Sequence, residues 1–159
     1  MTATYEPLAT TTLGSAAASV TFSSISGSYT DLILIASIKA STGTPTANIT
    51  VNNDTGSNYS RMGLYGDGST AGSFRDSNET SCRFATINAT NFTPVKIQIQ
   101  NYSNTTTYKS PLYSGGLDYP AVVIFLWRST SAINRVDFGI SSGNYAAGST
   151  FTLYGIKAE

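Results

Sequence analysis

Side chains able to do chemistry are few in this chain, and their spacing argues against most reactions. Its nine carboxylates run from Glu6 to Glu159 and include Asp31, Asp54, Asp67, Asp76, Asp118 and Asp137. A glycosidase needs two such groups across a scissile bond, but here most stand beside Gly or Ser in turn-like surroundings, none in a recognisable catalytic motif. The chain has no histidine, which removes the commonest general base and the commonest neutral metal ligand. A Ser-His-Asp or Cys-His site cannot be built within it. Cys82 is the single cysteine, so an internal disulfide is impossible, and within SCRFATIN it reads as a small buried hydrophobe. The loop NNDTGSN, Asn52 to Asn58, spaces oxygen ligands somewhat as calcium would want them. It offers one carboxylate and no bidentate Glu, and an Asx turn closing a hairpin accounts for it equally well. No catalytic residue, no metal and no cofactor are therefore expected, and the chain is read as not an enzyme.

Two further sets of residues bear on recognition. Eight Asn-X-Ser/Thr sequons begin at Asn48, Asn53, Asn58, Asn78, Asn88, Asn91, Asn101 and Asn104. The opening MTATYEPLATTTLG lacks the basic and apolar regions of a signal peptide, so these are expected to be polar strand and loop positions rather than glycan acceptors. Ten tyrosines and Trp127 could stack on sugar, but such rings also fill sandwich cores and subunit interfaces. Tyr113, Tyr119 and Trp127 are the candidates for a surface-binding role.

The elements that position these residues read as strands. Glu, Lys and Gln are few, and period-2 alternation recurs along the 159 residues. Val95, Ile97 and Ile99 face one way in PVKIQIQNY, and Val136, Phe138 and Ile140 do so in INRVDFGIS. Val20 with Phe22, Ile49, and Phe151 with Leu153 repeat the pattern. LILIASI (Leu32 to Ile38) and AVVIFLW (Ala121 to Trp127) are almost continuously apolar, as strands covered on both faces are, centrally in a sandwich or against a neighbouring subunit; Leu32, Leu34, Val123 and Phe125 join the expected core. Turns are expected at Ser26-Gly27-Ser28, Asp54-Thr55-Gly56, Asp67-Gly68, Gly115-Gly116 and Ser142-Gly143-Asn144. Asn52 to Ser60 and Gly66 to Thr80 read as long loops. Eight to ten short strands with no internal repeat predict an all-β fold: a single antiparallel two-sheet sandwich, jelly-roll-like, over residues 13–159. Residues 1–12 read as an extended N-terminal arm, with Tyr5, Pro7 and Leu8 as its anchors and a possible inter-subunit clasp.

Composition narrows the partners. Nine basic residues balance nine acidic ones, and only 11% of the chain is charged, so no electrostatic footprint for nucleic acid exists. No apolar run reaches the roughly 18 residues of a membrane span.

Three stretches carry a family resemblance: TTTLGSAAASVTFSSISGSYTDLILI, NNDTGSNYSRMGLYGDGS and WRSTSAINRVDFGISSGNYAAGSTFTLYGI. Together they resemble a group of small bacteriophage virion proteins common in phages of cyanobacteria and other aquatic bacteria. The region from Asp76 to Ser110 matches least. The resemblance implies a virion structural protein and carries no catalytic residues to transfer. The chain has neither the repeats nor the heptads of a fibre shaft. The expectation is a capsid decoration (cement) protein on the head surface, a homo-oligomer, most simply a trimer, contacting the major capsid protein or another virion protein. The alternative is a tail-fibre or tail-tip module that recognises host surface glycan through its aromatic residues.

Overall fold

A computed structural model describes residues 4–116 and 119–157. Twelve strands follow one another: β1 (Tyr5–Thr12), β2 (Ser19–Phe22), β3 (Asp31–Ile38), β4 (Thr46–Val51), β5 (Tyr59–Gly66), β6 (Ala71–Glu79), β7 (Cys82–Thr86), β8 (Thr93–Gln100), β9 (Leu112–Gly116), β10 (Pro120–Trp127), β11 (Val136–Ile140) and β12 (Thr150–Ile156). No helix occurs among the described residues, so none there could cross a membrane. All pairings are antiparallel, in an eight-stranded sheet ordered β1-β12-β3-β8-β9-β10-β5-β6 and a four-stranded sheet ordered β2-β11-β4-β7.

The order contains a complete jelly roll. The strands β1-β12-β3-β8 face β2-β11-β4-β7, and the chain passes back and forth between the two layers in the double Greek-key manner. Two hairpins are inserted into this frame, β5–β6 after β4 and β9–β10 after β8. Both join the large sheet beyond β8, so that sheet overhangs its smaller partner by four strands.

The alternating residues meet between the layers. Val95, Ile97 and Ile99 of β8 stand opposite Ala36, Leu34 and Leu32 of β3. Phe138 of β11 lies between Val20 of β2 and Ile49 of β4. Its ring meets Phe22, Phe84 and Phe151 with centroids 6.4, 6.3 and 5.0 Å away. Every expected core residue is buried except Ile140, which is half-buried against the cluster.

Four expectations are corrected. Tyr5 to Thr12 is no free arm: it is edge strand β1, paired to β12 of its own chain from Tyr5↔Ile156 to Thr12↔Thr150, so Tyr5, Pro7 and Leu8 belong to the sandwich. Gly66 to Thr80 is largely β6, whose polar sequence suits the edge of the sheet, where one side faces water. Gly115 and Gly116 end β9, paired with Ala121 and Pro120, instead of forming a turn. Of the two settings expected for the apolar runs, a central place in the sandwich does not hold throughout, since Ile35, Val122 and Ile124 are exposed on this chain.

Candidate functional site

The overhang creates a cleft. Strand β7 covers the inner face of β9, β10 and β5 only in part, through Phe84 and Arg83, and a space of about 310 Å³ opens beside it. Its floor is set by two aromatic–glycine pairings across β5 and β6. Tyr65 stands opposite Gly72, and Gly63 stands opposite Phe74. Each ring lies across the neighbouring glycine: a methyl at Gly72 would come within 2.5 Å of Tyr65, and one at Gly63 within 2.3 Å of Phe74. No residue other than glycine leaves room for the rings to lie this way.

Tyr119 stands at the mouth, 43% exposed, with its ring 5.4 Å from Tyr65. Phe84 of β7 and Tyr113 of β9 close the back, their rings 5.3 Å apart. Burial, and then the nearby Tyr119, pushes the Tyr113 phenol up to about 12, so it stays protonated.

The charged groups beside the rings are tied to one another. Arg61 sits over the Phe74 ring at 4.8 Å and holds Asp76 at 2.6 Å, while its Nη1 donates to the Arg83 carbonyl at 2.8 Å. Arg83 reaches Glu79 at 3.1 Å and Asp76 at 3.4 Å through Nη2. Two guanidiniums and two carboxylates leave the group neutral. The Arg83 Nε is buried and has no acceptor among the described residues. Asp76 is engaged by both arginines, and among the described residues the cleft presents flat rings beside paired charges.

The three aromatic candidates separate. Tyr113 and Tyr119 both line the cleft, Tyr113 as a buried wall and Tyr119 as an exposed lip. Trp127 is buried at the end of β10, and its indole donates to Asp54 Oδ2 at 2.6 Å. That corrects its assignment as a surface aromatic. It also defines the Asn52 to Asn58 loop: Asp54 accepts from Trp127, from the Asn58 side chain at 3.0 Å and from the Gly56 backbone at 2.9 Å. Burial alone would raise the Asp54 carboxyl; these hydrogen bonds outweigh it and hold the group below the usual range. No cluster of three metal-ligating side chains occurs among the described residues.

Arg61, Tyr65, Phe74 and Arg83 escaped the sequence reading. Phe74 fell in a stretch read as loop. The usable signal was Gly and aromatic residues alternating through Gly63, Tyr65, Gly72 and Phe74, which marks rings laid across glycines on paired strands.

On the opposite face of the same strands lies an apolar surface. Leu112, Ile124 and Met62 form one row across β9, β10 and β5, and Val122 and Leu64 lie in the next. All five are 39–60% exposed. Polar strands frame them, with Gln98 and Lys96 on the β8 side and Arg75 and Ser73 on the β6 side.

Fold and surfaces together define the class: a histidine-free jelly-roll domain with an overhanging sheet, a ring-lined cleft on one side of the overhang and an apolar face on the other. The chain matches no protein-family model, and no curated protein matches it in sequence.

Proposed function

We propose that the chain is a bacteriophage virion structural protein that decorates the head shell, and that copies associate through the outer face of β9, β10 and β5. The observation that carries this is the framed apolar surface. Its five side chains are all 39–60% exposed and adjoin one another across three strands, a contiguous apolar patch rimmed by polar residues of the kind that marks interaction surfaces. Such a surface is covered in an assembled state. Three copies turning it toward a common axis give closed symmetry, and the assembled unit then seats on the major capsid protein. Low charge suits this role, because apolar contacts lose less to salt than ion pairs do. The resemblance of the TLGS, DTGSNYS and GSTFTLYGI segments to phage virion proteins points the same way.

The test is a variant carrying Leu64→Asp and Ile124→Asp, with its mass in solution measured by light scattering and its binding to undecorated heads by sedimentation. Wild type is expected as a trimer that saturates the heads. The variant is expected as a folded monomer with binding weakened at least about tenfold, the loss of about 1.4 kcal/mol. A monomeric wild type, or a variant that assembles and binds unchanged, contradicts the reading.

A further inference from the structure

The cleft goes beyond a structural role on the head, because its construction answers to a ligand. Tyr65 and Tyr119 place two rings 5.4 Å apart at its mouth. The Tyr65 ring is seated against Gly72, where even one methyl would displace it. Alongside stand the hydroxyl residues Thr46 and Thr86. Rings demand a ligand with an apolar flat face. The threonine hydroxyls suit one with oxygen atoms at its edge. Among the described residues the charges of Arg61, Arg83, Asp76 and Glu79 balance, which favours one without net charge. A pyranose meets all three conditions, with C–H groups on its face and hydroxyls around its rim. The volume of about 310 Å³ is at the small end of ligand sites, suited to one or two sugar rings.

We infer that this cleft binds a neutral pyranose unit of a glycan, stacked on the exposed Tyr119 ring beside Tyr65, with ring hydroxyls meeting Thr46 and Thr86. The inference is independent of assembly. The cleft opens on the inner face of β5 and β10, and the apolar rows lie on the outer face.

The experiment uses the full-length protein, with amide resonances followed while maltotriose, chitotriose, lacto-N-tetraose and 3′-sialyllactose are added in turn. At least one neutral oligosaccharide is expected to shift amides of β5, β6 and the start of β10 in a saturable way. Tyr119→Ala should weaken that binding about tenfold, the effect of one lost stacking face, with the melting temperature unchanged because the ring is largely outside the core. Gly72→Ala should weaken it similarly by lifting Tyr65 off the strand. Three results would each overturn the inference: no saturable shift at the cleft with any neutral sugar, binding of the sialylated sugar alone, or binding that Tyr119→Ala leaves intact. None of these bears on the assembled mass, so the two readings fail separately.

Discussion

Trp127 shows how one side chain holds three segments together. Its ring ends β10 in the core, its indole donates to Asp54, and its backbone exchanges hydrogen bonds with Lys109. Asp54 is one of several carboxylates whose acid form the fold disfavours. The backbone N–H of Thr70, then that of Ser69, lowers Asp67 to about 2. Burial raises Asp137, but hydrogen bonds from Arg135 and Thr21 outweigh it and bring the group down. A carboxyl held below its unfolded value of about 4 stabilises the fold fully above that pH, and the contribution is lost as pH falls through the folded value. The melting temperature is therefore expected to fall between about pH 4 and pH 2. With no histidine to titrate, it should show no step between about pH 7 and 6. Thermal melts across that range check this, and a step near pH 6.5 would contradict it.

Strand β11 is the centre of the small sheet's packing, with β2 on one side and β4 on the other. Phe138 is fully buried and touches rings from three other strands. Phe138→Ala should cost about 3–5 kcal/mol in denaturant unfolding, the usual range for emptying a buried ring site. A loss below about 1 kcal/mol would place the ring outside the core. Elements of this kind were legible in the sequence because burial on one face imposes period 2: β2, β8, β11 and β12 follow from alternation alone. Strand β6 was not legible. An edge strand needs no apolar face, so AGSFRDSNE looks like loop until its partner β5 is known. Strand β1 failed for the same reason. For β10 the apolar run marked the strand correctly but not its surroundings, because local sequence does not record that its outer face, with Val122 and Ile124, has no cover among the described residues.

At the scale of the molecule, the overhang is the distinguishing feature. A plain jelly roll spends both sheets on one shared core. Here the two inserted hairpins extend one sheet past the other and so produce two new surfaces back to back. The inner surface becomes the cleft of Tyr65, Phe74 and Tyr119, and the outer one the rows of Leu112, Ile124, Met62, Val122 and Leu64. Sequence alone pointed to sandwich and core, but the overhang depends on which strands join beyond β8, a long-range choice that no local pattern encodes. The central claim is that the chain decorates the phage head with that outer face covered. The most direct measurement is an electron cryo-microscopy reconstruction of the intact virion. The account predicts many copies of this jelly roll on the head shell, grouped in threes, with Leu64, Val122 and Ile124 buried between neighbouring chains. Density for the domain confined to the tail tip, or copies on the head with those residues facing solvent, would contradict it.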